Sequence, residues 1–136
     1  MFISKDNIIY DELWDVEAPT GTLKGHAAIV QDVLGFYAKA AESNNEEVCF
    51  VYRDRQVLAN KRIGTGEAIL AGDKLYAYRV VPATPWTTPQ DVEVSPTATG
   101  TAGTDYCFCG WAKKDASALE TTVLMNFDGT RYNETI

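Results

Sequence analysis

The chain has 136 residues, of which 46% are hydrophobic, 11% aromatic and 23% charged. That length fits one domain burying about two thirds of its unfolded surface, and that apolar content excludes global disorder. A net charge of −7 and twelve scattered Lys and Arg residues, adjacent only at Lys61-Arg62 and Lys113-Lys114, work against direct nucleic-acid binding.

The start, MFISKDNIIYDELWD, lacks a basic segment followed by an uninterrupted apolar one, and no apolar run approaches the ~20 residues of a membrane helix. The expectation is a soluble protein outside the secretory route. Residues 1–25 mix aromatic and aliphatic side chains with the acids Asp11, Glu12, Asp15 and Glu17, ending near Pro19-Thr20-Gly21. They read as an N-terminal arm or edge strand, with residues 26–136 as a β-rich domain. From Ala27 to Ala41 two periods compete. Ile29, Val30, Val33, Leu34 and Tyr37 suit a helix, whereas Ala28, Val30, Leu34 and Phe36 suit alternation, and the local pattern slightly favours helix.

After the turn signal Ser43-Asn44-Asn45, the run Glu47 to Arg53 (EVCFVYR) is rich in β-branched and aromatic residues and predicts a strand. Ala71-Gly72-Asp73 feeds a second, Lys74 to Val81, with Tyr76, Tyr78 and Val80 on one face. Pro82 to Pro89 holds three prolines and Ser95 to Thr104 is small and polar, so this region, with only the short run Asp91 to Val94 inside it, reads as one long Pro/Thr-rich surface loop. Tyr106 to Ala112 and Thr121 to Phe127, the latter ending at Asp128-Gly129, predict two closing strands.

The residues that carry chemistry do not assemble into a known motif. His26 is the single histidine, no serine sits in a GxSxG elbow, and GTGEAILAGDK lacks the ending of a phosphate-binding loop. Cys49, Cys107 and Cys109 with His26 match the ligand count of a Cys₃His zinc site, but their spacing fits none of the common patterns. In a strand, residues 107 and 109 share a face, where buried thiols are ordinary core residues. An odd number of cysteines in a chain without a signal segment points to reduced thiols. The expectation is therefore no catalytic residue, no cofactor and no metal, in a protein that works by binding. Trp111 reads as core. Trp14 in the acidic arm and Trp86 in the proline-rich loop read as interface candidates.

Several short motifs follow one another in a telling order: Val33-Leu34-Gly35-Phe36, then Glu46-Glu47-Val48, then Ile69-Leu70-Ala71-Gly72-Asp73-Lys74-Leu75-Tyr76. The Ser95 to Gly100 stretch, Gly110-Trp111-Ala112 and Thr121-Thr122-Val123-Leu124-Met125 complete the series. This succession, over about three quarters of the chain, resembles the capsid cement, or head decoration, proteins of tailed bacteriophages. The N-terminal 25 residues and the Pro82 to Pro89 loop depart from that pattern, so contacts made by those parts do not carry over.

The resemblance implies an all-β fold, a small compact barrel or sandwich, and turns the Ala27 to Ala41 segment from helix to strand and loop. It also implies a virion structural protein that is made in the bacterial host cytoplasm and strengthens the outer capsid surface by binding major capsid proteins. Neighbouring copies of itself are the other expected partner, as a homo-oligomer on the shell, with no nucleic acid and no membrane. A phage tail or baseplate protein is one alternative, and a small zinc-dependent enzyme on a β-barrel another. The expected partner contacts are Phe2, Ile3, Ile8, Tyr10, Leu13, Trp14 and Trp86, with Ile9 beside them. Deleting residues 1–17 is expected to abolish capsid binding and leave the domain folded.

Overall fold

The computed structural model describes residues 1–4 and 12–136 and is all-β. Among the described residues there are nine strands: β1 (Phe2–Ser4), β2 (Glu12–Ala18), β3 (Ala27–Val30), β4 (Val33–Tyr37), β5 (Glu46–Asn60), β6 (Lys74–Arg79), β7 (Val92–Ser95), β8 (Cys107–Ala112) and β9 (Thr122–Asp128). All strand pairings are antiparallel, in the order β3-β4-β5-β9-β8-β6-β7, with β1 and β2 both paired to β5.

The two ends of that order meet. Ala27 donates to the Gln90 carbonyl at 2.8 Å, Gln90 donates back at 3.1 Å, and Ile29 donates to the Trp86 carbonyl at 2.8 Å. The segment just before β7 thereby docks on β3, and the sheet becomes a nearly closed barrel. Closure removes most of the open edge that a sheet must otherwise protect.

Strand β5 makes this geometry possible. Straight, its 15 residues would span about 50 Å, far more than a small barrel can use. Register shifts opposite Glu12/Leu13 and between Asp54 and Val57 let it bend, so that β1, β2, β4 and β9 all pair with it.

The segment from Ala27 to Ala41 forms a hairpin, not the helix that its local pattern favours. Gln31 and Asp32 adopt left-handed φ values of 51° and 65°, the signature of a tight two-residue hairpin turn. Pairing then places Phe36 and Leu34 inside the barrel and Ala28 and Tyr37 on its outer face. Gly35 is required here, because an added Cβ would lie 2.4 Å from the Phe50 ring.

The run expected as loop between the prolines also differs: Val92–Ser95 pairs with β6 through Tyr76↔Ser95 to Arg79↔Val92. The prolines flank this strand and do not interrupt it, so its ladder amides remain available.

Phe2, Leu34, Phe36, Val51, Val57, Leu75, Met125 and Phe127 fill the interior. Two smaller clusters cover the outer faces. One centres on Phe50 and Tyr37, and the other on Tyr76, Tyr78, Tyr106 and Phe108. Two-sided burial explains why β5, β6 and β8 read as apolar runs and not as clean alternation.

Candidate docking face at one mouth of the barrel

The C-terminal ends of β5 and β6, the start of β7, the start of β9 and the first residue of the chain meet at one mouth of the barrel. Met1, Asn60, Lys61, Ile63, Val80, Asp91, Val92, Glu93 and Thr121 line an open cleft there of about 630 Å³.

Lys61 frames this mouth from inside. Its side chain is buried, and its ammonium donates to the carbonyls of Arg62 (2.7 Å), Ser117 (3.1 Å) and Glu120 (3.2 Å). A buried ammonium is costly without partners, and here all three of its protons have one. The bonds to Ser117 and Glu120 hold the 117–121 loop against the end of β5.

Asp91 and Glu93 stand on the same outward side of the β7 segment, with buried Val92 pointing in between them. The Met1 ammonium donates to the Val92 carbonyl at 2.8 Å. Burial lowers its pKa, against the opposing pull of Asp91 and Glu93. Across the rim, His26 Nδ1 accepts from the Leu23 amide at 3.1 Å, and its Nε2 lies 3.8 Å from Asp91. Burial also holds the His26 pKa below the usual imidazole value, with Asp91 pulling the other way. A neutral ring accepting the Leu23 N–H is the form this geometry requires, and its role is to fix the turn.

The rim is apolar and open. Among the described residues seven large hydrophobic side chains are exposed: Leu13, Leu23, Ile63, Leu70, Val80, Val81 and Leu119. Ile63 (57% exposed) and Val80 (49%) line the cleft itself. Val81 follows Val80. Leu119 (77%) is on the loop held by Lys61, and Leu23 is on the turn held by His26. Four of the seven, Ile63, Val80, Val81 and Leu119, thus belong to the segments that frame one mouth.

The described ones among the expected contact residues do not line this cleft. Phe2 is 1% exposed and packs in the interior, its ring centroid 4.8 Å from that of Phe127 and 5.7 Å from that of Phe36. Trp86 is 8% exposed; its indole N–H donates to the Thr104 carbonyl at 2.8 Å, and the Arg79 guanidinium lies over its ring at 5.0 Å. For both, the protein's own core takes the place of the expected partner. Ile3 is half-buried on β1, Leu13 is exposed on β2, and Trp14 is half-buried against Tyr52 and Phe50. Ile8, Ile9 and Tyr10 lie outside the described residues. Trp111, expected as core, is half-buried on the outer face against Phe108.

Cys107 and Cys109 both enter the interior cluster, and Phe108 between them faces the outer one. Burial pushes the Cys107 thiol up to about 12 and that of Cys109 well above its ordinary value, which makes both poor nucleophiles. Cys49, half-buried on β5, is raised by burial and by Asp15. Among the described residues no three His, Cys, Asp or Glu side chains come together as a metal site. The mouth was missed by sequence reasoning, because its residues come from five separate segments and none carries a motif.

No family model, curated protein or solved structure matches this chain.

Proposed function

We propose that this protein is a structural adhesion domain of a phage virion, which decorates the outer surface of the capsid and stabilises the shell by binding major capsid proteins. The observation that carries the reading is the barrel mouth, where Ile63, Val80, Val81 and Leu119 are exposed on segments framing one cleft. Exposed large aliphatics gathered at one place mark interaction surfaces, whereas scattered ones mean little. The succession of motifs that resembles cement proteins supports the capsid as partner. Those motifs fall on β4, β5, β6, β7, β8 and β9 or the turns beside them.

Decoration works by mass action. A protein that binds the expanded shell and not its precursor stabilises the shell by RT ln(1 + [L]/Kd), multiplied over many equivalent sites. Such a role needs a rigid body with one adhesive face. The test is sedimentation of purified protein with expanded heads lacking it, from the phage that encodes the chain. Saturable binding and a raised head melting temperature are expected. The triple substitution Ile63→Ser, Val80→Ser, Leu119→Ser should abolish both, with the melting temperature of the free protein lowered little. Folded wild-type protein that ignores heads, or that binds tails instead, would overturn the capsid reading.

A further inference from the structure

We propose that the cleft at the barrel mouth receives a lysine or arginine side chain from the partner protein, with the aliphatic stem against Ile63 and Val80 and the cationic head at Asp91 and Glu93. This deepens the docking reading above and rests on it for the identity of the partner.

Three features of the cleft select that occupant. Its walls are of two kinds, with exposed aliphatic carbon from Ile63 and Val80 and carboxylates from Asp91 and Glu93. Long cationic side chains are amphipathic in the same way, with an apolar stem and a charged tip. The volume of about 630 Å³ is within the range of sites that hold a ligand group, about 300–1,000 Å³.

The second feature is that no lysine or arginine of the described chain neutralises these carboxylates. Among the described residues no Lys or Arg forms an ion pair with Asp91 or Glu93. Lys61, which lines the same cleft, directs all three protons at carbonyls. The Met1 ammonium, whose charge both carboxylates feel, donates to the Val92 carbonyl, and His26 stands 3.8 Å from Asp91 as a neutral ring. The third feature is the net charge of −7, which favours encounter with a basic surface and repels an acidic one.

An NMR titration of the intact protein tests the proposal with a short blocked peptide carrying a central lysine between leucines, and with the same peptide carrying norleucine in place of lysine. The lysine peptide is expected to shift the amides of Ile63, Val80, Asp91 and Glu93 and to bind about fivefold more tightly than its neutral counterpart. That advantage should shrink between about 0.05 and about 0.5 M salt. It should vanish in the double variant Asp91→Asn, Glu93→Gln, whose isosteric changes at solvent-facing positions leave the melting temperature near that of the wild type. Equal affinities for the two peptides overturn the inference, as do shifts mapping elsewhere, no shifts at millimolar peptide, or a preference retained by the double variant.

The head-binding assay separates this inference from the broader reading. Wild-type protein that binds heads while the double variant binds equally well refutes the cationic seat and leaves the docking role standing. Wild-type protein that does not bind heads refutes the capsid partner, and the peptide titration still decides the cleft.

Discussion

The Tyr132 hydroxyl donates to Asp32 Oδ1 at 2.5 Å and ties the C-terminal segment to the β3–β4 turn, 100 residues away in sequence. That bond, with a smaller contribution from burial, pushes the phenol pKa up from 10.0 to about 12. A raised acid pKa means that the folded chain holds its proton where the unfolded chain releases it. The stability contributed is therefore complete below pH 10 and is lost as pH rises from 10 to about 12. Burial raises Tyr37 and Tyr76 as well, so they act with the same sign. Tyr132→Phe is expected to cost about 1 kcal/mol at neutral pH and to flatten the alkaline fall in stability. Urea denaturation from about pH 7 to about pH 12 measures both, and an unchanged alkaline slope would show that Asp32 does not hold this proton. Lys61 gives a second test at the same scale. Lys61→Met keeps the buried stem and removes three donors, leaving the carbonyls of Arg62, Ser117 and Glu120 without them. A loss of about 3 kcal/mol follows, read as a lower denaturation midpoint with unchanged m-value.

Strand β1 has three residues, yet it holds one of the largest buried side chains in the molecule. Phe2 meets both Phe36 and Phe127, so Phe2→Ala opens a cavity at the junction of three rings and is expected to cost about 3–5 kcal/mol. Leu13→Ala, at an exposed position on β2, should stay within about 0.5 kcal/mol. Deletion of residues 1–17 removes Phe2 and Val16 together and is expected to unfold the domain, contrary to the expectation from sequence. Thermal melts of the three variants decide this, and a folded truncation would refute the account of β1. The same element shows what a sequence can carry. Longer runs such as EVCFVYR and KLYAYR were legible because β-branched and aromatic residues accumulate in them. FIS is too short for any period. VEVS alternates correctly, but neighbouring prolines disguise it until the structure shows that they stand outside the strand. Asp54-Arg55-Gln56 reads as the end of a strand, and it is the site of a register shift after which β5 resumes. Trp86 reads as an interface anchor because aromatics in proline-rich loops often are. Its burial depends on Thr104 and Arg79, which no local pattern connects to it. The docking face was the least legible part, since exposure of Ile63, Val80 and Leu119 is defined only after the chain has folded.

At the scale of the whole molecule, the barrel is closed by unequal joints. Most neighbouring strands share ladders of several residues, whereas β3 and the segment before β7 are joined at Ala27↔Gln90 and by the Ile29 amide on the Trp86 carbonyl. The 82–91 segment must therefore be held from outside, and Arg79 is placed to do so. Its guanidinium donates to the Thr84 carbonyl at 3.1 Å and to the Thr104 carbonyl at 2.8 Å while lying over the Trp86 ring. Local opening requires only the bonds of the weakest joint to break, so the seam should open at lower free energy than the β5–β9 ladder. Native-state hydrogen exchange is expected to show the Ala27, Ile29 and Gln90 amides exchanging together, ahead of Leu58 and Val123. Arg79→Met keeps part of the aliphatic stem but removes both loop contacts and the cation over the indole. It should lower the protection of those three amides by about 1–2 kcal/mol and leave the β5–β9 amides unchanged. If all of these amides exchange at one free energy in the wild type, the barrel opens as a single cooperative unit and the seam is no weaker than its walls. If the seam does open first, the docking face shares its fate, because Asp91 and Glu93 follow directly on Gln90. A partner seated on those carboxylates would then raise the protection of Ala27 and Ile29, across the seam from the residues it touches.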